Sequence, residues 1–77
     1  MDYRDPQFDE WLSEHEAEAS RVKRMGDWRQ RNATDLLLYI NQARILARRA
    51  GDGAAVDASE AEALVSKIEA LRKQIGK

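Results

Sequence analysis

Apolar residues recur along the chain at steps of three and four, which is the spacing of one face of an α-helix. The first stripe predicts a helix over about residues 6–25 and consists of Phe8, Trp11, Leu12, His15, Ala19, Val22 and Met25. Two further stripes predict helices over about 28–50 and about 58–75. We therefore expect a single all-α domain over 1–77, built as a three-helix antiparallel bundle or as a helical hairpin with an extra helix.

Residues with known capping preferences mark the first boundary between helices. Asp5 can cap the first helix while Pro6 takes its first position, where a missing N–H is harmless. Gly26 favours a left-handed end for that helix, and Asp27 with Gln30 has the spacing of a capping box for the next. The alternative is one continuous helix through Gly26, at a cost of roughly 1 kcal/mol relative to alanine.

The starts of the second and third helices each have a further candidate cap. Asn32 and Thr34 also cap well and would begin the second helix later. Ser59 with Glu62 forms a capping-box pattern for the third helix, and Asp57 is the alternative cap.

The second helix carries apolar residues on two opposite sides. Leu36 and Ile40 share one face, whereas Leu38 and Ile45 point nearly the opposite way. We expect the first helix to cover Leu38 and Ile45, so that the second helix lies between the other two. The equally weighted alternative is that Trp11, Leu38 and Ile45 form a self-association surface, and we expect a homodimer.

The charges are sorted along the chain. Residues 1–20 hold seven acidic and one basic residue, residues 21–50 hold eight basic and two acidic, and residues 51–77 hold five acidic and four basic. A hairpin would place the acidic segment along the basic one. In that register Glu10 and Glu14 should approach Arg44, with each exposed pair worth only ~0–1 kcal/mol.

Basic residues surround a tryptophan at the predicted turn between the first two helices. We call this group the Trp28 corner, and it consists of Arg21, Arg24, Trp28, Arg29 and Arg31. Tryptophan and arginine dominate interface energetics, so the Trp28 corner is our predicted partner-binding site, suited to an acidic protein surface. The alternatives are that it binds nucleic acid, or that Trp28 merely closes the end of the core.

Residues that carry catalysis or bind metal are sparse. The chain has no cysteine, and its single histidine, His15, lies on an apolar stripe without a second ligand at good spacing. No glycine-rich phosphate loop is present. We therefore expect no enzyme activity, no cofactor and no metal site.

The longest apolar run, Leu36–Ile40, has five residues, whereas a membrane-spanning helix needs roughly 20. The N-terminus is acidic and lacks the apolar segment of a secretory signal. These features predict a cytoplasmic protein that does not bind membranes.

The sequence favours a small non-enzymatic protein-interaction module, acting as a regulator or inhibitor of a larger protein. Its size and its arginine- and alanine-rich composition suit a phage or another mobile element as its source. The first alternative is a small nucleic-acid-binding protein that uses the Trp28 corner. The second is a structural assembly subunit.

Overall fold

Three α-helices make up most of the chain. The computed structural model describes residues 2–76 and contains α1 (Phe8–Met25), α2 (Gln30–Gly51) and α3 (Ala58–Ile75), with no strand in that range. α2 packs against both α1 and α3, which touch each other only slightly, and the bundle measures 40 × 19 × 16 Å. The predicted all-α class is confirmed.

The predicted cap of α1 is wrong, because the N-cap position is Gln7, whose side chain makes no capping hydrogen bond, and Asp5 lies in the turn before the helix. The Asp5 carboxylate accepts a hydrogen bond from the Gln7 N–H at 2.8 Å, and its carbonyl accepts one from Phe8 at 2.9 Å. The second bond spans three residues, so the first turn is tighter than an α-helix. The α-helix therefore starts at Phe8 rather than at Pro6.

α1 ends just before Gly26, so the alternative of one continuous helix is wrong. Gly26 has a φ of 69°, and its N–H donates to the Lys23 carbonyl. The predicted capping box after it does not form. The Asp27 carboxylate accepts from the Arg29 N–H, whereas the Gln30 N–H bonds to the Asp27 carbonyl.

The starts of α2 and α3 settle the remaining cap alternatives. Asn32 and Thr34 both lie inside α2, and the Thr34 hydroxyl donates to a carbonyl one turn earlier. At α3 the Asp57 carboxylate accepts from the Ser59 N–H at 2.9 Å, so Asp57 is the cap and the capping box of Ser59 with Glu62 is wrong.

One continuous core holds the three helices together. Among the described residues it contains no buried polar or charged side chain. Burial of each large aliphatic side chain contributes roughly 1.5–3 kcal/mol, so this cluster supplies most of the stabilisation. Its members are Phe8, Leu12, Ala19, Val22, Ala33, Leu36, Ile40, Ala43, Leu46, Ala61, Leu64, Ile68 and Ile75.

α2 is the helix that both others pack against, as expected, but the expectation that α1 covers Leu38 and Ile45 is wrong, because that side of α2 is uncovered. Leu38 and Ile45 are 54% and 44% exposed. Arg44 reaches toward α1 and Tyr39 lies beneath Lys67 of α3, and these two positions are about 140° apart around α2. The outer helices thus share one half of α2, since a single core buries all three apolar faces together.

Charge pairing between α1 and α2 occurs in a different register from the predicted one. Arg44 donates to Glu16 at 2.8 Å and lies 3.6 Å from the Asp9 carboxylate. Glu10 and Glu14 are exposed and form no ion pair with another described residue. Acidic residues of α1 do approach Arg44, as predicted, but they are Asp9 and Glu16 and not Glu10 and Glu14.

We expect Gly26→Ala to lower the free energy of unfolding by roughly 1–2 kcal/mol, because a side chain disfavours the left-handed backbone. Gly51→Ala is the matched control. Both added methyl groups would meet open space, but Gly51 is the last residue of α2 and has no positive φ. Urea denaturation should show no loss for Gly51→Ala, and equal losses in both variants would contradict this explanation.

Candidate functional site

The Trp28 corner lies at one end of the bundle. It surrounds the short connection between α1 and α2, beside the end of α3, because Arg29 donates a hydrogen bond to the Ile75 carbonyl. Trp28 is 70% exposed, more than any other large apolar side chain of the described residues. The alternative in which Trp28 closes the core is therefore wrong, and the fully buried Ile75 is found in the core of this end instead.

Arg29 ties the corner to α3. Its guanidinium lies 2.7 Å from the Asp27 carboxylate and 3.1 Å from the Ile75 carbonyl, and its side chain is only 15% exposed. The hydrogen bond from Arg29 lowers the pKa of Asp27, and the same bond raises the pKa of Arg29. Arg29 donates to one of the carbonyls that are left unpaired at the end of α3, and this hydrogen bond holds the α1–α2 turn against α3.

Arg21 has partners within α1. It forms an ion pair with Glu18, and the hydrogen bond between them lowers the pKa of Glu18 and raises that of Arg21. Nη1 of Arg21 also lies 3.6 Å from the Met25 sulfur, and Nη2 of Arg29 lies 3.4 Å from the same atom. Met25 thus lies between two guanidinium groups.

Three cations of this end are free to contact a partner. Lys23, Arg24 and Arg31 are exposed, and none forms an ion pair with another described residue. Glu18 and Asp27, by contrast, are already paired. The exposed charge that is left unpaired at this end of the bundle is therefore positive.

Met25 is a residue of this surface that the sequence analysis missed. It was assigned to the apolar stripe of the first helix, yet its side chain is 55% exposed. Its position directly before Gly26 was the signal in the sequence for this exposure. The last apolar residue of a helix can lie beyond the neighbouring helices, because the chain turns away after it. Trp28 and Met25 together give the corner two large apolar groups.

The predicted self-association residues do not form one surface. Trp11 stacks on Phe8 with ring centroids 5.6 Å apart, contacts the tilted ring of His15 at 4.3 Å, and packs against the core. Nδ1 of His15 donates to the Trp11 carbonyl at 2.8 Å. Leu38 and Ile45 lie outside the core cluster, on the uncovered side of α2.

Two shallow grooves lie elsewhere on the surface. One of about 340 Å³ is lined by residues that include Tyr3, Arg4 and Val65, and one of about 230 Å³ includes Ile45 and Arg49. Neither lining contains a hydroxyl nucleophile of serine or threonine, or a histidine. Within residues 2–76 no group of three acidic or histidine side chains is placed to hold a metal ion, and no helix there is long and apolar enough to cross a membrane.

We expect Arg29→Ala to lower the urea midpoint of unfolding, because it removes the tie between the corner and α3 and leaves a terminal carbonyl without its donor. Arg31→Ala is the matched control, since Arg31 is exposed and unpaired among the described residues. Its midpoint should equal that of the parent chain. Equal midpoints for all three chains would contradict a structural role for Arg29.

The Arg29–Asp27 pair also predicts a pH dependence. Because the pKa of Asp27 is lowered in the folded state, its contribution is present above the ordinary aspartate value of 3.8 and is lost as the pH falls through the lowered pKa. The stability advantage of the parent chain over Arg29→Ala should therefore shrink as the pH is reduced from about 5 to about 2. A constant difference across that range would contradict this prediction.

Two exposed features remain without an intramolecular role in the described part of the chain. One is the exposed part of the Trp28 corner, Arg24, Trp28 and Arg31, together with the neighbouring Lys23 and Met25. The other is the uncovered side of α2 around Leu38 and Ile45. Comparison of the chain with protein-family models, with curated proteins and with solved structures finds no match.

Proposed function

We propose that the protein is a small non-enzymatic interaction module, a regulator or inhibitor that binds a larger protein through the Trp28 corner. The observation that supports this is the 70% exposure of Trp28, beside Met25, in a bundle that buries most of its other large apolar groups. An exposed indole that is close in sequence to three unpaired cations has the composition of an interface hot spot. Arg29 holds this turn against α3, which keeps the surface preorganised and reduces the entropy lost on binding.

The partner surface that fits this site is acidic. Lys23, Arg24 and Arg31 are unpaired in the described structure, so a carboxylate-bearing surface would give each of them a counter-charge. Such complementarity raises the association rate and selects orientation more than it adds affinity. An apolar pocket on the partner would receive Trp28, with the charged contacts at the rim.

We further propose that the chain forms a homodimer in the cytoplasm of a bacterial host and that a phage or mobile element encodes it. A chain of 77 residues buries a modest fraction of its surface, and association extends that burial. The absence of cysteine suits a reducing compartment. The exposed Leu38 and Ile45 supply an apolar surface for the second copy.

Nucleic acid is the second candidate ligand, because the same three free cations could contact phosphates. Against it, the net charge of the chain is −1 and its pI is about 5.8. Phosphate binding would weaken steeply between about 50 and about 200 mM salt, by roughly tenfold per one to two contacts. Binding of random duplex DNA that falls in this way, and that disappears in Arg24→Ala/Arg31→Ala but not in Arg48→Ala/Arg49→Ala, would favour nucleic acid over a protein partner.

We expect a photoreactive amino acid in place of Arg24 to crosslink the chain to one discrete protein in host cells. The same residue in place of Ala54, in the exposed connection between α2 and α3, is the control and should give no such adduct. Purified partner should then bind the parent chain in a titration. An adduct pattern identical at both positions would contradict the proposed site.

We expect Trp28→Ala to weaken binding of that purified partner by at least about tenfold, as for an interface hot spot. Its thermal midpoint should stay near that of the parent chain, because the Trp28 side chain is largely outside the core. Arg24→Glu should weaken binding as well, whereas Arg4→Glu should not, since Arg4 is an exposed arginine beside Tyr3 and Ala58 at the other end of the bundle. Full affinity in Trp28→Ala would overturn the proposal.

A further inference from the structure

The uncovered side of α2 has an apolar centre and polar flanks. Leu38 and Ile45 are seven residues apart, which places them two turns apart on one line, about 10 Å along the helix. At about 100° per residue, one flank of this line carries one set of exposed residues and the other flank a second set. The first set is Thr34, Asn41 and Arg48, and the second is Asp35, Gln42 and Arg49.

The charges on this side are distributed unevenly from one end of α2 to the other. Asp35 lies near the start, whereas Arg48 and Arg49 lie near the end. Arg31 and Asp52 lie further out on the same line, at opposite ends. A helix face with an acid at one end and bases at the other is complementary to a copy of itself that runs in the opposite direction.

We propose that two copies of the chain pack antiparallel along this face, with Leu38 of one copy against Ile45 of the other. The two-fold axis then passes midway between positions 41 and 42. In such an isologous contact each flank meets the same flank of the second copy. Asn41 and Gln42 lie beside the axis, where their amides can pair with those of the second copy.

This register places residues of opposite charge opposite each other. Asp35 faces Arg49 of the second copy on one flank, and Arg31 faces Asp52 beyond the apolar centre. Arg48 faces Thr34 on the other flank. Each pair occurs twice because of the two-fold symmetry, so the contact closes as a dimer and does not propagate into a filament.

The parallel arrangement of the same two faces lacks this complementarity. With the helices parallel, the two-fold axis runs along them and each flank meets the other flank of the second copy, so that Arg49 would face Arg48 and Asp35 would face Thr34. Like charges placed opposite each other across an interface are unfavourable. The antiparallel arrangement is therefore the one that the charges of α2 select.

This inference rests on the proposed self-association, and the dimer contact shares only Arg31 with the Trp28 corner. Two half-exposed side chains per copy make a small contact, and contacts below about 1,200 Å² are weak and transient. We therefore expect a monomer–dimer equilibrium in sedimentation experiments between about 10 μM and about 1 mM chain. A chain that is monomeric throughout this range would overturn both the homodimer and the antiparallel contact, while leaving the Trp28 corner untouched.

The sequence contains no cysteine, so disulfide formation between introduced cysteines directly tests whether the two α2 helices run antiparallel. The Leu38→Cys and Ile45→Cys chains, one carrying a mass tag, are mixed in a glutathione redox buffer. The mixed disulfide between positions 38 and 45 should dominate. A 38–38 disulfide should be scarce, because those positions are about 10 Å apart along the axis, beyond the roughly 7 Å that a disulfide spans. Predominant 38–38 and 45–45 products would overturn the antiparallel register and leave the homodimer standing.

Charge reversal tests the pairing of Asp35 with Arg49. Asp35→Arg alone and Arg49→Glu alone should each raise the dimer dissociation constant by about tenfold or more, and the double variant should restore it to within about threefold of the parent chain. Both residues are exposed, so folding measured by circular dichroism should be unchanged. Arg24→Glu, at the Trp28 corner, is the control and should leave dimerisation as it is. A double variant no better than the single ones would overturn the assigned pairing.

Discussion

The burial of a single face of α2 determines the rest of this structure. Leu36, Ile40 and Ala43 line that face, and both α1 and α3 pack onto it. Because two helices share one half of α2, its other half is left to solvent, and the chain gains an uncovered helix face 22 residues long.

The contacts of Arg29 at the end of the bundle fix the position of the turn that carries Trp28. Arg29 links Asp27 to the last carbonyls of α3, and its guanidinium also contacts the Met25 sulfur. The turn is thereby held against the bundle while Trp28 points away from the core. A turn anchored by its arginine presents a fixed apolar surface, which is better suited to recognition than a mobile loop that must be ordered on binding.

The sorted charges of the chain serve two separate purposes. Some acids of α1 are used inside the molecule, where Glu16 and Asp9 surround Arg44 and help to set the orientation of α1. Lys23, Arg24 and Arg31 near the α1–α2 turn, and the charges along the outer face of α2, form no ion pair within the described structure. The first group suits an acidic protein surface and the second suits another copy of the chain.

The sequence alone determined the helical class and the break at Gly26, because these depend on contacts within about four residues, whereas it left the cap of α3 open between Ser59 and Asp57. It also located the Trp28 corner, since a cluster of arginines around tryptophan is visible locally. Only the tertiary structure decided that Leu38 and Ile45 are uncovered, that Trp28 is outside the core, and that Arg29 binds Ile75 rather than solvent. Periodicity shows which residues share a face of a helix, but the side that a neighbouring helix covers depends on how all three faces pack into one core.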